Sequence, residues 1–98
     1  MSGFVQIIEW KTSKMDEMRA YQEEWRAGHP EMGPSRVMIC EDRDNAGTYL
    51  TVVEFESYEA AMKNSEDPAT SEFAERMQSL SDGPPTFRNL DLLMMEER

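Results

Sequence analysis

Thr48-Tyr49-Leu50-Thr51-Val52-Val53-Glu54-Phe55 (TYLTVVEF) is a run of β-branched and aromatic residues with no glycine or proline inside it, bounded by Gly47 before and Ser57 after. Such a run reads as a strand. Successive side chains of a strand point to opposite faces, so Leu50 and Val52 share one face while Tyr49, Val53 and Phe55 share the other. A sheet covered on one side only would carry polar residues at every second position. This strand is apolar on both faces, and both faces need covering.

Working outward, Asp42-Arg43-Asp44-Asn45-Ala46-Gly47 is a polar turn, and Arg36 to Glu41 (RVMICE) before it is a second strand of the same hairpin. Gly28, Pro30, Gly33 and Pro34 form a loop that ends a helix expected from about Lys14 to Ala27. Within that helix Met15, Met18, Tyr21 and Trp25 recur at steps of three and four and make one stripe. Ser13 is the expected N-cap, with Asp16 three residues on completing an approximate capping box. Phe4 to Trp10 (FVQIIEW) is the first strand. On the other side, Ser57 caps a helix from Tyr58 that Asp67-Pro68 restarts or kinks. Its second half, Pro68 to Leu80, presents Phe73, Met77 and Leu80 on one face, and Asp82-Gly83-Pro84-Pro85 stops it. Phe87 to Met95 (FRNLDLLMM) is the last strand.

The order strand, helix, strand, strand, helix, strand is the α+β, ferredoxin-like β-α-β-β-α-β arrangement, with two helices on one face of a four-stranded antiparallel sheet. The other strands repeat the two-faced pattern: Val5 and Ile7 against Phe4, Ile8 and Trp10; Val37 and Ile39 against Met38 and Cys40; Leu90, Leu92 and Met94 against Leu93 and Met95. At about 25 cal/mol per Å² of apolar area, leaving the second face wet is unfavourable, and a homodimer packed sheet to sheet is the economical arrangement.

The chain has 98 residues, which is one domain over 1–98. Val, Ile, Leu and Phe number only 16 of 98 and the net charge is −10, a composition that touches the range of disordered chains. The orderly apolar periods indicate a folded domain instead. Twenty acidic against ten basic residues argue against binding a nucleic-acid backbone or an anionic membrane surface, both of which need clustered Lys and Arg. No basic and apolar leader and no membrane-length apolar run appears, so a cytoplasmic location is expected. The single cysteine, Cys40, agrees with a reducing compartment and reads as a buried, inert thiol of the second strand, without a neighbouring cation or helix N-terminus.

His29 is the only histidine, and imidazole is the usual general base near neutral pH. It follows the first helix in a Gly-His-Pro loop, where it is either a base at a pocket mouth or a cap on the helix C-terminus. One His and one Cys do not reach the ligand count of a zinc or iron site, so no metal is expected. Met18, Tyr21, Trp25, Phe73 and Met77 are the candidate walls of a pocket for a flat aromatic ligand, with Trp10 and Tyr49 able to join them and the same residues able to serve as plain core. Asn64 either terminates the first half of the second helix or donates to a substrate carbonyl. Glu54 shares a face with Leu50 and Val52 and would be a raised-pKa base if buried alone, or a partner of Arg36 or Arg88 at a strand end.

The strand and helix order, the two-faced strands and the segment Asn64-Ser65-Glu66-Asp67-Pro68-Ala69-Thr70-Ser71-Glu72-Phe73 leading to Asp82-Gly83-Pro84 resemble the dimeric α+β barrel proteins of the antibiotic-biosynthesis-monooxygenase type. The resemblance covers nearly the whole chain. It implies a ligand pocket between helices and sheet in each protomer, and oxygenation of an aromatic quinol without a cofactor, with His29 as the base. The alternative is a non-catalytic small-ligand-binding or dimerisation module. Haem-degrading members of the group have an Asn on the first strand, a Trp near the second helix and a His on that helix as iron ligand. Here the first strand offers Gln6 or Trp10, and the second helix has Glu75 and Arg76 but no His, so haem is not expected.

Overall fold

The computed structural model describes residues 3–30 and 33–97. Four strands, β1 (Phe4–Lys11), β2 (Arg36–Glu41), β3 (Thr48–Phe55) and β4 (Thr86–Asp91), form one antiparallel sheet in the order β2-β3-β1-β4. Three helices, α1 (Met15–Gly28), α2 (Tyr58–Glu66) and α3 (Pro68–Ser79), complete the α+β, ferredoxin-like fold.

The expected second helix is two helices. Asp67 ends α2 and caps α3, its Oδ1 accepting the Ala69 N–H at 2.9 Å, and Pro68 takes the first position of α3, where its missing N–H has no partner to lose. Ser57 caps α2 as its sequence position suggests, accepting the Ala60 N–H at 3.1 Å. Ser13 does not cap α1. Thr12 holds that turn instead, its buried hydroxyl accepting the Lys14 N–H at 2.9 Å and donating to the Leu80 carbonyl at 2.6 Å. One hydroxyl thus ties the start of α1 to the end of α3, which sequence spacing does not reveal because the partners are 68 residues apart.

The last strand also ends earlier than its composition suggests, at Asp91 rather than Met95. Asp91 pairs with Phe4, the first residue of β1, so the neighbouring strand has run out. One further bond, from the Leu92 N–H to the Gly3 carbonyl at 2.9 Å, leaves Leu93 and Met94 without a ladder and open to solvent.

Register fixes which residues share a face. Rows Val37–Val53–Gln6–Asn89 and Ile39–Thr51–Ile8–Phe87 run across one side, together with Phe4, Phe55, Trp10 and Tyr49. This side meets the helices: Phe4, Trp10 and Val53 are buried, and Trp10 packs with Met18, Met77 and Leu80 in the core. Rows Met38–Val52–Ile7–Arg88, Cys40–Leu50–Glu9–Thr86 and Arg36–Glu54–Val5–Leu90 run across the other side, which none of the described helices covers, so Cys40 is exposed on edge strand β2 rather than buried.

Candidate functional site

The helix-covered face of the sheet does not close completely on the helices. A cavity of about 330 Å³ remains between them, at the lower end of the size range of small-molecule sites. Its floor is the even-numbered row of β1, Phe4, Gln6, Ile8 and Trp10, with Val53 and Phe55 of β3. Trp25 of α1 and Phe73 and Met77 of α3 form the roof. The lining is predominantly apolar and aromatic, and Arg26 is its only charged residue among those described. A wider groove of about 880 Å³ lies between α1 and edge strand β2, but Asp16, Arg19, Arg36 and Glu41 make it polar and open. Tyr49 faces this groove; burial, the negative charge of Glu41, a hydrogen bond to that carboxylate and Asp16 all push its hydroxyl above the ordinary value of 10.0.

Of the five residues expected in the pocket, Trp25, Phe73 and Met77 line the cavity. Met18 and Tyr21 do not. Met18 is 1% exposed and belongs to the packed layer behind the wall. Tyr21 stacks on Phe73 with ring centroids 5.6 Å apart, and the Arg76 guanidinium lies over the Tyr21 ring, 5.9 Å from its centroid. Helical spacing places Met18, Tyr21 and Trp25 on one stripe of α1, and that stripe is wide enough to hold both wall and core.

His29 occupies a related position. Its ring stacks on Trp25 at 4.3 Å between centroids and 16° between planes, and it is not part of the lining. Trp25 in turn lies 4.9 Å from Phe73. His29, Trp25, Phe73 and Tyr21 therefore form a chain of four contacting rings, whose middle two face the cavity and whose ends brace them. The His29 Nδ1 lies 2.8 Å from the Trp25 carbonyl oxygen. A carbonyl only accepts, so this assigns the hydrogen to Nδ1 and leaves Nε2 as the acceptor of the neutral ring.

Polar side chains interrupt the apolar wall at several points. The Gln6 amide donates to Asn89 Oδ1 at 2.9 Å. Asn64 Oδ1 accepts the Gly33 N–H at 3.1 Å, so this side chain pins the loop after α1 against the end of α2. Gly33 adopts φ +95°, a left-handed conformation that glycine allows without strain. Thr51, Ser65, Thr70 and Ser71 are the hydroxyl-bearing residues of the lining. The sequence marks Trp10 and Asn64, whereas Phe4, Gln6 and Phe55 could have been found by stepping two residues at a time from Trp10 and Val53. Glu54 lies on the opposite side of the sheet, where Arg36 Nε meets its Oε2 at 3.3 Å, so it is paired and away from the cavity.

No protein-family model and no curated protein matches the chain. Solved structures do match its fold. A structure from Caulobacter crescentus described as a "putative antibiotic biosynthesis monooxygenase" superposes with a TM-score of 0.78 at 14% identity, over 95% of this chain and 92% of that one. One from Bordetella bronchiseptica described in the same words gives 0.77 at 13%, over 96% and 100%. A conserved protein from Methanosarcina mazei Go1 gives 0.77 at 9%, over 92% of each chain. The chain has the fold of the antibiotic-biosynthesis-monooxygenase structures.

Proposed function

We propose that this chain is a homodimer whose cavity holds a flat aromatic, quinol-like molecule, and that it acts on such a molecule as a cofactor-independent monooxygenase. The observation that carries the binding half is the cavity itself, about 330 Å³ lined by two tryptophans and four phenylalanines. Flat rings stack on such walls in offset or edge-on contact and lose water from both faces. The catalytic half is supported by the description of the structural neighbours and by His29, whose Nε2 is free to take a proton. The protein then has to deprotonate the ligand and keep water away, while the electron-rich carbanion reduces dioxygen itself. Dimerisation is supported by the second face of the sheet, where Val5, Ile7, Met38, Leu50, Val52 and Leu90 lie under no helix.

Anthrone tests both halves, because its ring methylene is acidic and its enol is a hydroxylated three-ring aromatic. Its oxygenation converts the methylene to a carbonyl, leaves one atom of dioxygen on the product and releases the other as water, with all electrons from the substrate. Isotope-labelled dioxygen should place one labelled atom in anthraquinone, and His29→Ala should lower turnover by far more than it lowers affinity, which it touches only through Trp25. A second, non-catalytic reading is favoured by one observation: no carboxylate, imidazole or thiol lies in the described lining, and His29 stands one ring behind it. Under that reading anthrone binds, no label is incorporated and His29→Ala changes only the support of Trp25.

A further inference from the structure

Thr70 sits on the cavity wall in the first turn of α3, and its hydroxyl is buried without a hydrogen-bond partner. The break between α2 and α3 supplies the reason. A helical threonine ordinarily returns its hydroxyl to a carbonyl three or four residues back. Here the carbonyl three back, that of Asp67, already accepts the Thr70 N–H at 3.0 Å and the Ser71 N–H at 3.2 Å. Its lone pairs are taken and the hydroxyl is left over. An unpaired buried hydroxyl destabilises the empty protein, and valine, of nearly the same shape, would fill the position without that penalty. Close by in sequence, Asn64 spends its side-chain oxygen on the Gly33 N–H and keeps an NH₂ group with no partner among the described residues. Both residues line the same cavity.

We infer that Thr70, on the cavity wall beside the α2–α3 break, turns about χ1, for which helical threonine has two accessible rotamers, so that its hydroxyl meets a ring oxygen of the bound aromatic, and that the cavity thereby selects phenols and aryl ketones over plain aromatic hydrocarbons. The inference rests on the proposed use of the cavity. A hydroxyl both donates and accepts, so it serves a phenolic O–H as well as a carbonyl, while the Asn64 amide N–H can only donate. The aromatic walls bind the rings of either class of compound, and the Thr70 hydroxyl supplies the difference between them.

Equilibrium dialysis of 1-naphthol and of naphthalene against wild type, Thr70→Val and Thr70→Ser, with thermal melts of the empty proteins, tests this. Wild type and Thr70→Ser should prefer 1-naphthol. Thr70→Val should lose about threefold to tenfold in affinity for 1-naphthol, the worth of one neutral hydrogen bond, and keep its affinity for naphthalene. Its Tm without ligand should rise by about 4 to 8 °C, as expected when a small domain sheds one unpaired buried hydroxyl. Equal weakening of both probes, no weakening of either, or a lower Tm overturns the role of Thr70 and leaves the cavity reading intact. Should Thr70→Val not fold, Thr70→Ala removes the hydroxyl with the same expected loss of preference, and an unchanged preference there overturns the inference. Failure of both probes to bind wild type overturns the cavity reading, and the inference with it.

Discussion

The two faces of the sheet are built from the same strands with nearly the same residue types, yet they meet different surroundings. On one face Trp10, Met18, Met77 and Leu80 are buried in a continuous core that opens into the cavity. On the other, Met38 and Leu90 are 43% and 41% exposed, and the row Met38–Val52–Ile7 has no layer above it. Strand composition alone therefore does not say which face is core. What differs is the connection: α1 and α3 each return across the sheet on the Trp10 side, and Thr12 fastens both to it. On the proposed dimer, this uncovered face is where the second protomer packs.

Substitutions on the two faces should separate accordingly. Met18→Ala, on the covered face, should reduce folding stability by about 2–5 kcal/mol through lost contacts and a residual cavity, read from urea denaturation. An effect below about 1 kcal/mol would mean that this layer is loosely packed. Val52→Lys, at the centre of the open face, should leave the fold intact while raising the dimer dissociation constant at least about a hundredfold, or roughly 2.7 kcal/mol, read by sedimentation. If it unfolds the protomer as Met18→Ala does, the distinction between the faces breaks. Ser57→Ala and Asp67→Ala, which remove caps at the ends of helices over the covered face, should each lose about 1 kcal/mol.

The smallest effect belongs to the β2–β3 turn, remote from both faces. The Asp44 N–H and the Asn45 side-chain amide donate to Asp42 and hold its carboxyl below the ordinary value of 3.8. A carboxyl depressed in the folded state contributes stability above its unfolded value and loses it as pH falls through the folded one. Asp42→Asn should therefore lose this contribution above pH 3.8 and converge on wild type as pH falls below it, which flattens the acid limb of the stability curve. An unchanged acid limb would show that the turn is as open to water folded as unfolded.

Much of this molecule is legible in its sequence, and the exceptions have identifiable causes. Strand and helix order follow from period and caps, with Ser57 and Asp67-Pro68 read directly as helix starts. Thr12 is not legible as the brace of α1, because its second partner, the Leu80 carbonyl, is a tertiary neighbour. The end of β4 is set by where β1 begins, since the apolar run continues to Met95 but the partner strand does not. At the site, helical spacing names Trp25, Phe73 and Met77 but cannot separate them from Met18 and Tyr21, which the same stripe places one layer deeper. Thr70 carries no sequence signal, because its unpaired hydroxyl follows from two N–H groups sharing the Asp67 carbonyl.

The central claim is one occupied cavity per protomer on the covered face and one protomer partner on the open face. Native mass spectrometry of the protein with anthrone tests both in one spectrum. A species near twice the 11.4 kDa chain mass carrying two anthrone molecules is the predicted result. A bare 11.4 kDa monomer at every anthrone concentration would contradict the account.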